Sequence, residues 1–178
     1  MNSAQPDYLV SDGRLQLNEA GQAFNELRAR IEHEAAQLDR SWAGAFLASI
    51  LIAEPWLAAF DLNITVSHEY DDQGGTFLSY SSAVSEVRTV EGVTLPDTMV
   101  DDGAFDEDLA ANYLTEQFDA CERDIYVTFR DDDDSQELKI EVRREPIASL
   151  LVTGAVRGTD AFQALFPHQA ASPPPNTV

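Results

Sequence analysis

Positive charge is what this sequence has least of. Eleven bases, of which only Lys139 is a lysine, stand against 32 acids, a formal net charge of −21 over 178 residues. Direct nucleic-acid binding needs a basic stripe, and a phosphate cradle needs a patterned glycine loop. Neither is present, since Gly74-Gly75 lies in no G-x-G-x-x-G or Walker context. Cysteine is scarcer still. Cys121 stands alone, which excludes an internal disulfide framework and fits a reducing compartment, so a cytoplasmic location is expected. Long hydrophobic runs are missing too. Between Trp42 and Phe60 the one ionisable residue is Glu54, yet Glu54-Pro55 leaves about a dozen apolar residues in a row, short of the roughly 20 that span a bilayer. No basic cluster flanks the stretch to orient it. The first residues, with Asp7 and Asp12 and no basic-then-apolar run, do not read as a secretory signal.

Catalytic signatures are also lacking. There is no G-x-S-x-G nucleophile elbow, and Cys121 is expected on the buried face of a helix as a packing residue. The histidines His33, His68 and His168 share no ligand spacing, so no zinc site is expected. His68, on the apolar side of a strand pattern, is expected to be a hydrogen-bonded residue at the core edge. Glu54 is the best candidate for an acid perturbed by burial, although a helix-end position reaching solvent explains it more simply. A calcium loop around Gly103 fails, because Thr98, Val100 and Asp102 would take the first ligand positions and valine offers no side-chain oxygen. The chain is accordingly read as non-enzymatic, with no cofactor and no metal beyond adventitious divalent cations.

What the chain does have is a core-forming composition and acids concentrated in its middle. It is 44% hydrophobic with 16 aromatics, which suits one ordinary globular domain. Residues 1–60 carry 8 acids and 4 bases, residues 61–134 carry 20 and 3, and residues 135–178 carry 4 and 4. Salt adaptation, or the arginine-rich usage of a GC-rich genome, would also produce acidity. Salt adaptation should coat the whole surface, however, whereas here the two ends are nearly balanced.

Periodicity sets out the elements. Residues 1–17 read as a loosely held arm. Asn18 can cap a helix whose apolar positions Ala20, Phe24, Leu27, Ile31, Ala35 and Leu38 form one stripe, with Glu26–Arg30, Arg28–Glu32 and Arg30–Glu34 on a solvated face. Ser41 restarts a second helix through Trp42, Phe46 and Ile50, and Trp56–Phe60 reads as one more helical turn. The period then becomes two: Leu62, Ile64, Val66, His68 and Tyr70 alternate with polar residues in a strand over 61–70. Asp71-Asp72-Gln73-Gly74-Gly75 is a hairpin loop, and the returning strand slips register near Ser81–Ser85, predicting a bulge or a new strand. Glu91-Gly92 is a turn with Val93–Leu95 beyond it, and 96–103 is a loop. A helix follows from about Phe105 to Glu122, with Asp106, Glu107 and Asp108 in its first turn, where the dipole favours anions. Ile125, Val127 and Phe129 alternate in one strand and Leu138, Ile140 and Val142 in its partner, joined at Asp131–Asp134. Pro146 starts a short helix ending near Gly154, and Thr159 caps a last turn that ends at Pro167.

The expected fold class is therefore α+β: a single domain over 18–167 with an antiparallel sheet of four to five strands in two hairpins, covered by helices, and a disordered proline-rich tail over 168–178. The leading functional expectation is an interaction protein whose acidic face occupies a basic, nucleic-acid-binding site on a partner protein. A surplus of 17 charges in residues 61–134 equals that of roughly 30 Å of B-DNA, and a globule of this length is about 40 Å across. Anti-restriction, anti-CRISPR and nuclease-immunity proteins act this way as classes, by DNA mimicry. The expected contact residues are Asp71, Asp72, Asp97, Asp101, Asp102, Asp106, Glu107, Asp108, Asp131, Asp132, Asp133 and Asp134. No direct contact with nucleic acid or membrane is expected, and a homodimer is left open. As an alternative, the element order is similar to that of small acidic secretion chaperones, which are α+β homodimers, an analogy at the level of fold. A third reading is an enzyme whose site carries no recognised motif.

Overall fold

The computed structural model describes residues 5–130 and 135–170. Asp131–Asp134 and residues 171–178 lie outside the described residues. The chain forms two compact units, Met1–Leu38 and Asp39–Val178, with one helix running through the division.

In the first unit, residues read from the sequence as an arm carry a hairpin of β1 (Tyr8–Ser11) and β2 (Arg14–Leu17). Asp12 and Gly13 turn it with φ of 51° and 73°, the two left-handed residues of a tight hairpin turn. Asn18 joins this hairpin to α1 (Glu19–Ala53) as the sequence predicts. Its Oδ1 accepts from the Gly21 amide at 2.7 Å, capping the helix, and from the Asp7 amide at 3.1 Å, while its Nδ2 donates to the Gln5 carbonyl. The helix does not break at Ser41; one element replaces the two expected, because no Pro intervenes before Pro55 and Gly44 is carried within the helix. Of the three i,i+4 pairs, Arg28–Glu32 closes, at 2.8 Å. The apolar stripe of this segment does not face a core. Phe24, Leu27, Ile31 and Leu38 are 54%, 43%, 56% and 71% exposed.

The second unit holds the core. Its sheet has the order β4-β3-β7, all antiparallel, from β3 (Leu57–Tyr70), β4 (Thr76–Thr89) and β7 (Glu137–Arg143). Phe60, Leu62 and Ile64, with Val84, Ile140 and Val142 beside them, form the covered face. The opposite face carries Asn63, Thr65, Ser81, Ala83, Lys139 and Glu141. Leu57–Leu62 is buried with almost no alternation, which is why its first residues read as a turn of helix. The bulge in β4 lies at Glu86, whose φ is +52°, and the pairing shifts register between Asp61 and Leu57. It is one strand and not two, and Val93–Leu95 belongs to no strand.

Three further expectations are corrected. Residues 96–103, expected as a loop, form a 3-10 turn at Asp97–Met99 and the start of a small hairpin of β5 (Val100–Asp101) and β6 (Ala104–Phe105). The helix expected to reach Glu122 ends early, as α2 (Glu107–Phe118), and Ile125, Val127 and Phe129 belong to α3 (Glu122–Phe129) instead of a strand. In so short a segment both periods fit the apolar residues. Tyr126 decides the matter, because burying Ile125, Tyr126 and Phe129 together requires a helical face. The second hairpin is thus not formed, and β7 pairs with β3, leaving three strands in the main sheet where four to five were expected. This also departs from the chaperone-like element order.

The remaining elements are α4 (Ala148–Leu151), after a 3-10 turn at Glu145–Ile147, then α5 (Gly158–Leu165) and α6 (Pro167–Ala170). Residues 168–170, expected in the tail, are helical. Thr159 is not the cap of α5; Arg157 holds that position without a side-chain bond. Gly44 and Gly158 let α1 and α5 touch backbone to backbone: a Cβ on Gly158 would lie 1.9 Å from the Ser41 carbonyl oxygen. Arg144 closes the C-terminal end of α1. It donates to the carbonyls of Leu51 in the last turn of the helix, of Glu54 just beyond it and of Leu57 at the start of β3. No helix among the described residues is long and apolar enough to cross a membrane.

Candidate functional site

The acidic residues separate into groups that the fold places far apart. Asp71 and Asp72 lie at the tip of the β3–β4 hairpin. Asp71 Oδ1 accepts from the amides of Gln73 and Gly75 at 3.0 and 2.6 Å, so this carboxylate builds its own turn. At the other end of the sheet, Glu107 Oε1 accepts from the Val87 amide, next to the bulge, at 3.2 Å. Eleven residues of β4 separate Val87 from Thr76, which at the strand rise is roughly 35 Å. The tip acids and the α2 acids therefore form no single cluster. Asp131–Asp134 lie outside the described residues.

The structure does assemble the acids around α2. Asp102 and Gly103, with φ of 47° and 82°, turn the β5–β6 hairpin and expose Asp101 and Asp102 just before the helix. Asp106 caps α2, its side chain accepting from the Leu109 amide at 2.9 Å. Asp106 and Glu107 are thus partly committed to holding the fold. Asp97, Asp101, Asp102 and Asp108 make no side-chain hydrogen bond or ion pair among the described residues. The helix extends this surface beyond the expected set. Asp108, Asn112, Glu116 and Asp119 follow at spacings of four, four and three, all exposed, a stripe about 17 Å long. Asp124, in α3, is exposed as well. Residues 97–124 carry ten acids against one base, Arg123. The spacing from Asp108 to Asp119 is present in the sequence, but the intervening residues interrupt the run of charge.

On the opposite sheet face the acids Asp61 and Glu141 are neutralised. Asp61 is 7% exposed and pairs with Lys139 Nζ at 2.8 Å, diagonally across β3 and β7. This bond raises the Lys139 pKa. Glu141 binds both Arg88 and Arg143. Three of the few cations of this unit are thereby spent on one face, leaving α2 the unneutralised one.

Other candidates resolve into structural roles. Both oxygens of Glu54 are occupied as acceptors, one from Trp56 Nε1 and one from the Tyr113 hydroxyl, each at 2.6 Å, which braces the end of α1 against α2. The same bond to Glu54 raises the Tyr113 pKa. Cys121 sits at the start of α3, not on the α2 face, and is half-buried against the core; burial raises its thiol pKa, which disfavours the reactive thiolate. His68 is exposed near the end of the hairpin, opposite Leu78, and is not a core-edge residue. No group of His, Cys, Asp and Glu able to hold a metal ion occurs among the described residues.

No protein-family model, curated protein or solved structure matches the chain.

Proposed function

We propose that this chain is a binding protein that docks the acidic surface of α2 and the β5–β6 turn onto a basic surface of a partner protein, of the kind that otherwise holds nucleic acid. The observation that carries this reading is the excess of acid in residues 97–124, ten acids against one base, with Asp108, Glu116 and Asp119 along one exposed face of α2 and Asp101 and Asp102 exposed just before it. A stripe of unpaired carboxylates about 17 Å long attracts a cationic groove and repels nucleic acid itself, and its contribution falls as salt rises. Asp101, Asp108, Glu116 and Asp119 are the contact residues. Asp106 and Glu107 position them.

The test is capture of the partner from the native host, eluted with a salt gradient. Binding should weaken steeply with salt, and the combined changes Asp101→Lys, Asp108→Lys, Glu116→Lys and Asp119→Lys should abolish it. Reversing Asp71 and Asp72, at the far end of the sheet, should leave it nearly intact. Binding insensitive to the four reversals would overturn the proposal.

A further inference from the structure

Residues 5–38 carry many apolar side chains and bury none of them: the one buried residue there is Gly21. Tyr8, Leu9, Val10, Leu15, Phe24, Leu27, Ile31 and Leu38 are all exposed. Most helix stability in proteins comes from packing an apolar face. The order of Phe24, Leu27, Ile31, Ala35 and Leu38 says what that face packs on. Their spacings, three, four, four and three, are the same read from either end, with Ile31 at the centre. A two-fold interface requires a patch that complements itself, and two such helices crossing antiparallel at Ile31 meet this requirement. Phe24 then lies level with Leu38 of the second copy, Leu27 with Ala35, and Ile31 with its own equivalent.

The flanking charges choose the same arrangement. At 100° per residue, Arg28 and Glu32 border the stripe on one side and Arg30 and Glu34 on the other. In an antiparallel pair each border meets its own equivalent reversed. Arg28 falls about 3 Å along the axis from the level of Glu32 of the second copy, and Arg30 the same distance from Glu34. A parallel pair would instead set Arg28 opposite Arg30, like against like. Net charge also favours a second copy over a basic partner here. Residues 1–38 carry 6 acids and 3 bases, against 26 and 8 in residues 39–178.

We infer that this chain self-associates through the Phe24–Leu38 face of α1 as an antiparallel two-fold helix pair. The four large side chains remove on the order of 400 Å² per copy from water, below the roughly 1,000 Å² in total that a stable specific interface clears, so the pair is a weak, reversible dimer.

Sedimentation velocity of the full chain, from low micromolar to several hundred micromolar, should show a monomer–dimer equilibrium. Ile31→Glu, which sets two carboxylates on the two-fold axis, should leave the monomer alone at every concentration. Its far-UV dichroism and core tryptophan fluorescence should be retained. Orientation is read by disulfide trapping in a Cys121→Ser background. Phe24→Cys and Leu38→Cys chains should cross-link when mixed and far less when each is alone. A monomer at all concentrations, a dimer unaffected by Ile31→Glu, or efficient self-cross-linking of Phe24→Cys would each overturn the inference.

Discussion

Residues 1–38 and residues 39–178 use the same apolar residue types at the same helical and strand periods, with opposite results. In the second unit, Phe60, Leu62, Leu114 and Phe118 are completely buried. In the first, the stripe of α1 and the hairpin residues Leu9, Val10 and Leu15 face solvent. The difference is not hydrophobicity. It is the number of layers, since a sheet packed with α2, α3 and the second half of α1 encloses apolar faces and one helix behind one hairpin cannot. Apolar periodicity thus marks a face that has to be covered, and only the neighbours in space decide whether the same chain covers it.

The comparison is tested most strongly by truncating one large aromatic in each unit. Phe60→Ala should cost about 3–5 kcal/mol in urea unfolding, the range for opening a cavity in a packed core. Phe24→Ala should leave the unfolding midpoint of residues 39–178 unchanged at low protein concentration, while removing self-association. A similar loss from both would mean that Phe24 is covered within one chain. Smaller, and confined to the second unit, is the Tyr113–Glu54 bond. Tyr113→Phe should cost about 1 kcal/mol near neutral pH. The folded-state pKa of Tyr113 is raised, so the bond's stabilisation is fully present below the ordinary phenol value of about 10 and is lost as pH rises through the folded value. The wild-type advantage over Tyr113→Phe should therefore shrink in alkaline unfolding titrations, and a constant difference would contradict the assigned cause. Smallest is Asn18→Ala in the first unit, at about 0.5–1 kcal/mol for loss of a cap. Hydrogen exchange should speed at Gly21 and in the first turns of α1, with no change in the core strands. A global effect would mean that the two units melt as one.

Much of the fold was legible locally. The Asn18 cap, the Asp71–Gly75 hairpin, the acids at the start of α2 and the alternation of Leu138, Ile140 and Val142 all depend on residues within a few positions of one another. The errors share a cause. Trp56–Phe60 and Ile125–Phe129 are short apolar runs in which helix and strand periods both fit, and burial on two faces or the extra buried Tyr126 settled them. The Asp12-Gly13 hairpin carried a readable turn signal, but its flanking apolar residues are exposed and so sit in no core pattern. Of the candidate surface, Asp97 to Asp108 was visible as a run of charge. Glu116 and Asp119 join it only along the helix, and Asp71 and Asp72 leave it only because β4 is one long strand.

The sequence by itself determined the excess of acid, its concentration in the middle of the chain, the α+β class and the self-symmetric spacing about Ile31, since each is a property of composition or of neighbours along the chain. Tertiary structure decided which acids remain unneutralised. Lys139 reaches Asp61 and Arg88 reaches Glu141 only through strand pairing, across separations of roughly eighty and more than fifty residues. Tertiary structure also decided that one apolar stripe is core and another is surface, because burial depends on what stands opposite a face, and local periodicity does not contain that information.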